Sequence, residues 1–425
     1  MNLLPTKADF SDARIAPGTD LIAGLTVAVV ALPLALAFGI ASGLGAEAGI
    51  TTAIIAGAIA AIFGGSKLQV SGPTGAMTVV LVPIFHQFGS GGVLLVGLIA
   101  GLLLLVTAFA KVGEHVHRLP TSLIEGFTAG IAVVIALQQF PFIFGVMPGE
   151  AEQVWRMALE AAVAGLTAGH FIPVIMSLSV ATAILLGSRR WHKIPFALVT
   201  IGVATIAADL ANLEVDRIGE LPARIGTLDF SFLNSGNYLA LLPSALAVAA
   251  LAALESLLSA KVADKMRGGG EKHDANRELF GQGLANLVVP FFGGVPATAA
   301  LARTAVNVRS GARSKLSALS HAFVLAAVVL LASSLVGRIP LAALAGVLIA
   351  TTAHMIKPRE LLKLARESYL DAMILVATFI TTIFVDLISA VLLGLALSLI
   401  LRKTKLAKVI DRRLPPIDEK ETLGD

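Results

Sequence analysis

Apolar residues run through this chain in blocks of about twenty, parted by short polar or Gly/Pro-bearing breaks. Gly92–Ala110, GVLLVGLIAGLLLLVTAFA, carries no charge at all. At 1.5 Å per residue, a run of 18 or more such residues is long enough to cross the hydrocarbon core of a bilayer. About fourteen blocks of this kind can be drawn: 20–43, 46–64, 69–88, 92–110, 120–144, 168–187, 194–210, 239–261, 277–292, 296–308, 316–337, 340–356, 369–385 and 386–402. Two are irregular. The third is interrupted by SGPTG (Ser71–Gly75), and the tenth is short and follows FGGVP (Phe292–Pro296). The pattern predicts an all-α polytopic membrane protein.

Composition agrees. Hydrophobic residues make up 56% of the chain and charged residues 14%, against about 25% charged in soluble domains. Forty glycines and a 6% aromatic share suit helices that approach closely through small residues. The absence of cysteine excludes disulfides and thiolate metal sites. The net charge of +4 reads as loop charge rather than a nucleic-acid surface.

The distribution of charge orients the chain. From a cytoplasmic N-terminus, the inner loops hold Lys67, Lys111, Arg118, Ser188–Lys193, Ala260–Glu278, Val308–Lys315, Lys357–Arg366 and Arg402–Arg413. The outer loops keep only Arg156, Arg217, Arg224 and Arg338. That asymmetry follows the positive-inside rule, places both termini in the cytoplasm and calls for an even number of spans. The expected organisation is a cytoplasmic segment (1–19), a first membrane repeat (20–210), an extracellular connector (211–238), a second membrane repeat (239–402) and a basic cytoplasmic tail (403–425). The first twenty residues lack the basic start, short apolar core and cleavage site of a signal peptide, so no removable leader is expected.

Two stretches echo each other. FGGSKLQVSGPTGAMTVV (Phe63–Val80) and FGGVPATAALARTAV (Phe292–Val306) each place Phe-Gly-Gly before a proline-led, small-residue helix. Interrupted hydrophobic segments at matching places in two halves mark the binding site of a secondary transporter. In the threading above the two run in opposite directions, so the repeat is inverted. A helix that starts inside the membrane presents unpaired N–H groups and the positive end of its dipole. Two such ends form an anion site made largely of backbone. Pro73 and Pro296 are expected in the first turn, where a missing N–H costs nothing. Gly72, Gly75, Gly293 and Gly294 are expected to give the extended or left-handed lead-in. The candidate anion-facing residues are Ser71, Gly72, Pro73, Thr74 and Gly75 on one side, and Thr298, Ala299, Leu301, Ala302 and Arg303 on the other.

The charges within predicted spans add to this picture. Arg303 lies about two turns into the tenth span; an intramembrane arginine is costly and is by default a functional hypothesis. Beside two helix N-termini it deepens a positive potential; the bland alternative is snorkelling to the inner interface. Glu255, in ALAALESLLSA (Ala250–Ala260), has Ser259 four residues later on the same face. A buried carboxylate there can carry a proton or, with the hydroxyl, help hold sodium, a hard cation that prefers oxygen ligands. It can also pair with Arg303. Glu125, Asp371 and Asp386 lie near span ends and read as anchors or caps. His321 and His354 read as hydrogen-bonded packing residues. No P-loop, HExxH or nucleotide-binding glycine pattern occurs, so no nucleotide and no catalytic residue is expected.

The chain resembles the sulfate permease (SulP) anion transporters. The likeness rests on Ala31–Ile50 (ALPLALAFGIASGLGAEAGI), Leu68–Leu81 (LQVSGPTGAMTVVL) and Gly293–Leu319 (GGVPATAALARTAVNVRSGARSKLSAL). It implies fourteen segments in two inverted repeats of seven, divided into core and gate subdomains, with half-helices 3 and 10 meeting at mid-membrane. It further implies a homodimer and an elevator-like movement of the core. By motif position it makes Phe38 a pocket wall, Thr74 the variable residue after Gly-Pro, Ala302 and Arg303 substrate-facing, and Glu255 with Ser259 the ion-coupling pair. A glutamate at 255 favours protons over sodium. Two departures stand out. Leu34 replaces the glutamine that many members carry after the first-helix proline, which removes a polar group from the pocket wall. The sequence also ends with Arg402–Asp425, where the resemblance implies that most members continue into a STAS domain.

The expected function is secondary active transport of a small anion of the bicarbonate, sulfate or dicarboxylate class by proton symport, in a bacterial inner membrane. No cofactor is expected beyond the coupling ion. The alternatives are an uncoupled anion channel or exchanger, sodium-coupled bicarbonate uptake, and a nucleobase carrier on the same fold.

Overall fold

Close helix packing sets the architecture. The computed structural model describes residues 3–6, 10, 12–114, 120–147, 153–191, 194–234, 238–267, 272–385, 389–390, 392–394 and 396–398. In chain order the helices are α1 (Pro17–Ala41), α2 (Ala46–Phe63), α3 (Gly75–Phe109), α4 (Thr121–Gln138), α5 (Phe140–Phe144), α6 (Val154–Ala168), α7 (Phe171–Arg190), α8 (Phe196–Leu210), α9 (Tyr238–Arg267), α10 (Ala275–Val288), α11 (Leu301–Arg309), α12 (Leu316–Gly337), α13 (Leu341–Met355), α14 (Pro358–Glu367) and α15 (Tyr369–Phe384). Two short strands, β1 (Ser71–Gly72) and β2 (Thr298–Ala299), form an antiparallel pair.

Among the described residues, eight helices are long and apolar enough to cross a membrane. Their order follows the sequence pattern, with four differences. The third and fourth predicted spans are one element, α3, broken at Gly89, whose φ of 67° no regular helix contains. The tenth span begins at Leu301 rather than Pro296. Two helices, α6 and α14, arise in stretches read as loops; α14 is PRELLKLARE, whose leucines recur at helical spacing among charges. Asp386, the tail 403–425 and most of the fourteenth span lie outside the described residues.

The chain divides into two compact units: one of residues 1–117 and 135–351, the other of 118–134 and 352–425. In the first, α1 packs on α2 and α12, α2 on α10 and α12, and α3 on α9 and α10. The main core cluster joins α1 and α2 residues such as Leu36 and Ile50 to Leu325 of α12 and Leu348 of α13. Gly49 shows what the small residues are for. A Cβ there would stand 2.0 Å from the Ala35 carbonyl, so α1 and α2 touch backbone to backbone. Asp20, fully buried at the start of α1, accepts hydrogen bonds from the Arg313 N–H (2.7 Å) and the Ser314 N–H (3.2 Å), pinning the turn after α11. In the second unit, Ser122 donates to Asp371 at 2.6 Å, and Ser368 caps α15 through the Asp371 N–H. Asp371 is thus an anchor at a helix end.

Candidate functional site

The two interrupted segments come together. Ser71 pairs with Ala299 and Gly72 with Thr298 in the antiparallel ladder, which the Ala300 N–H extends by donating to the Val70 carbonyl at 3.0 Å. Helix α3 starts three residues beyond β1 and α11 two residues beyond β2. Both N-termini therefore spring from the same short ladder. Thr74 caps α3, its hydroxyl oxygen accepting from the Met77 N–H at 3.4 Å. Ala300 at the N-cap of α11 offers no side chain, so the first-turn N–H groups of that helix keep no cap. Leu301 is 47% exposed and Ala302 is exposed, so α11 opens its positive end outward from the ladder. Phe38 of α1 is buried and stands over the other end, its ring 3.1 Å from where a Cβ of Gly75 would be. Leu34, one turn earlier, is also buried.

The prolines have a different place from the one expected. Pro73 precedes the cap of α3 and Pro296 lies before β2, so neither sits in a first helical turn. Each instead lies within a non-helical lead-in that has no helical hydrogen bonds to lose. Of the glycines, Gly293 has a left-handed φ of 73°. At Gly75 the terminal methyl of Ile135 takes up the room, 2.2 Å from where a Cβ would be.

What holds two non-helical segments inside an apolar array is a polar scaffold. On α10, Glu278, Gln282 and Asn286 recur every four residues along one face. Glu278 Oε2 accepts from the Gly65 and Ser66 N–H groups, both at 3.0 Å. Gln282 Nε2 donates to Ser71 Oγ at 2.7 Å. Asn286 takes the Ala297 N–H and gives to the Ala297 carbonyl, both at 2.8 Å, as a neighbouring strand would. On α9, Ser256 Oγ bonds Thr298 Oγ1 (2.9 Å) and accepts from the Ala299 N–H (3.2 Å), while its carbonyl accepts from Gln69 Nε2 (2.6 Å). Thr52 of α2 donates to the Val295 carbonyl at 2.9 Å, and buried Lys315 donates to the carbonyls of Ile62 and Gly64. Most of these partners are backbone groups that a continuous helix would have satisfied; the Ser71 and Thr298 hydroxyls are side-chain partners. These residues were not singled out in the sequence. The signal was present in ELFGQGLAN, where three polar residues at helical spacing interrupt a predicted span.

Arg303 and Glu255 do not pair with each other; they take adjacent residues of the lead-in to α3. Arg303 is 1% exposed, which overturns snorkelling. Its Nη2 donates to the Pro73 carbonyl at 2.8 Å, and Nη1 fills the space 2.2 Å from the missing Cβ of Gly72. Nη1 and Nε have no hydrogen-bond partner among the described residues. Glu255, partly exposed on α9, accepts the Thr74 hydroxyl at Oε2, 3.0 Å away. One turn on, fully buried Ser259 donates to Thr304 Oγ1 at 3.1 Å, and Thr304 also accepts from the Val70 N–H. Glu255 therefore touches the α3 cap while Ser259 holds α11. His321 is fully buried with neither ring nitrogen hydrogen-bonded among the described residues, unlike the satisfied packing residue expected.

The site is thus a ladder joining two helix starts, with a buried arginine behind it and a carboxylate on one cap. The model of the sulfate permease family matches residues 18–378. The chain belongs to that family. Among curated proteins it is 36% identical to the putative sulfate transporter YvdB of Bacillus subtilis, over 90% of this chain and 72% of that one. It is 32% identical to the bicarbonate transporter BicA of Picosynechococcus, over 94% and 72%. Among solved structures, the transmembrane domain of a cyanobacterial bicarbonate transporter BicA aligns with a TM-score of 0.79 at 33% identity, covering 90% of this chain and 98% of that one. SLC26A9 aligns with a TM-score of 0.79 at 18% identity, over 91% and 65%, a likeness of fold. This sulfate permease family member is thus an anion transporter with the helical membrane domain of its relatives.

Proposed function

We propose that the chain is a secondary active transporter of a small oxyanion or carboxylate, of the bicarbonate, sulfate or dicarboxylate class, driven by a coupled cation through Glu255. The observation that carries this is the contact between Glu255 and Thr74. The carboxylate stands at the cap of α3, at the same positive helix end that would attract the substrate. Ionised, it cancels part of the field that an anion needs. Neutralised by a proton, it restores that field, so cation and anion enter together. The anion would sit against the first turns of α3 and α11, walled by Phe38, with Arg303 lending charge through the Pro73 carbonyl rather than by direct contact. An elevator-like movement of the elements around the ladder would carry the site across the membrane.

Sodium in place of the proton is favoured by one feature: the Ser259 hydroxyl lies one turn from Glu255 on α9 and meets the Thr304 hydroxyl of α11, and oxygen donors suit a hard cation. Uptake of labelled bicarbonate, sulfate and succinate into proteoliposomes under imposed pH or sodium gradients tests both readings. Accumulation above equilibrium under one gradient is expected. Glu255→Gln, which can still accept the Thr74 hydroxyl, should abolish that accumulation while exchange persists. Uphill uptake by this variant would move coupling elsewhere, and uptake that never exceeds equilibrium under either gradient would leave a channel. Arg303→Ala should weaken anion affinity in the folded protein.

A further inference from the structure

Away from the ladder residues themselves, α7 and α8 line a groove of about 600 Å³ whose lining is almost wholly apolar, including Ile175, Ala183, Phe196, Val203 and Ala207. The Thr200 hydroxyl turns back on its own helix, donating to the carbonyls of Phe196 (2.7 Å) and Ala197 (3.2 Å). Along α7 the lining runs from Ile172 to Ala183, and along the antiparallel α8 from Phe196 to Ala207. Each stretch is about 16 Å long at the helical rise, roughly half of a ~30 Å hydrocarbon core. Phe196 packs against Gly187 of α7, so the slot begins within a turn of that helix's arginine end and runs from there toward the other face. Its Phe196 end is not apolar outside. Phe196 stacks on Trp191 with ring centroids 6.1 Å apart, and the Arg190 guanidinium lies 6.0 Å from the Trp191 ring. Arg189 and Arg190 are both exposed at the last turn of α7, beside a Trp191 that is 55% exposed. No acidic partner of either arginine occurs among the described residues.

We propose that this groove is a binding site for an anionic phospholipid, with the acyl chain between α7 and α8 and the phosphate on Arg189 and Arg190. Two guanidiniums at one end and a long apolar slot behind them match the two parts of such a lipid. Basic pockets between membrane helices on the side where positive loops gather are suited to acidic headgroups, and a tryptophan belongs at that depth. A second copy of the same face is a poorer occupant. About an axis along the membrane normal, it would bring like-charged arginine ends together.

Trp191 reports on the site directly. The chain has two tryptophans, so Trp155→Phe leaves Trp191 alone. In proteoliposomes, brominated phosphatidylglycerol should quench Trp191 at a mole fraction roughly tenfold lower than brominated phosphatidylcholine, the order expected when two arginines face an acidic headgroup. The preference should vanish in the added double variant Arg189→Gln/Arg190→Gln. It should also shrink in Ala183→Phe, which fills the slot and leaves the arginines untouched. Equal quenching by the two lipids would overturn the proposal. So would a preference that survives loss of both arginines, or one that Ala183→Phe leaves whole.

Discussion

Arg303 stands out because an arginine in an apolar helix draws attention in the sequence, yet its task is local. Its guanidinium lies over Gly72 and holds the carbonyl of Pro73. The sequence made Arg303 and Glu255 legible as functional candidates because a charge among apolar residues is conspicuous. It did not reveal their partners, since Pro73 and Thr74 lie 230 and 181 residues away in the chain. The geometry yields a double-mutant cycle. In Gly72→Ala the new methyl meets Nη1 at 2.2 Å and the Ala53 Cα at 3.3 Å, so the guanidinium must leave Pro73. A loss of about 1–3 kcal/mol is expected, from strain and a stranded buried carbonyl. In an Arg303→Ala background the part of that cost due to the guanidinium should be lost, while the strain at φ 159° and the Ala53 contact remain, a coupling of roughly 1–2 kcal/mol by thermal unfolding in detergent. Strict additivity would mean that Arg303 does not occupy the space above Gly72.

At the scale of elements, the long apolar helices were readable from block length alone, because burial in hydrocarbon imposes a twenty-residue period on composition. The short elements were not. Helices α6 and α14 are too short and too polar for that criterion, and β1 and β2 hold only two residues each. Pro73 and Pro296 suggested first turns by local rule, but hydrogen bonding between distant segments places the helix starts further on. The α10 stripe is the element that makes this possible. Asn286→Ala removes both bonds to Ala297 at a fully buried position, and should lower stability by about 2–5 kcal/mol as read by thermal unfolding. At the other segment, Thr74→Ser should keep the cap and the Glu255 contact. Thr74→Ala should lose about 1 kcal/mol of capping, together with the normal gradient dependence of uptake. If alanine and serine behave alike in uptake, the Thr74 hydroxyl has no part in coupling.

For the whole molecule, the positive-inside count yields an orientation that the absence of cysteine makes simple to test. Ser231→Cys lies in the connector between α8 and α9, and Lys265→Cys in the last turn of α9; both positions are exposed. A membrane-impermeant maleimide added to intact cells should label the first and spare the second until the membrane is opened. The reverse pattern would invert the topology. The same long-range pairing has a consequence for how the protein is made. A two-residue ladder between segments more than two hundred residues apart is a contact of high sequence separation, and such contacts form late. While the second half is still being synthesised, Ser71 and Gly72 must wait in the bilayer with ladder groups unmatched, a costly state in lipid. The newborn first half is therefore the stage most exposed to quality control. Substitutions at Asn286 or Gln282 are expected to reduce the amount of protein that survives biogenesis more than they reduce the turnover of the molecules that do.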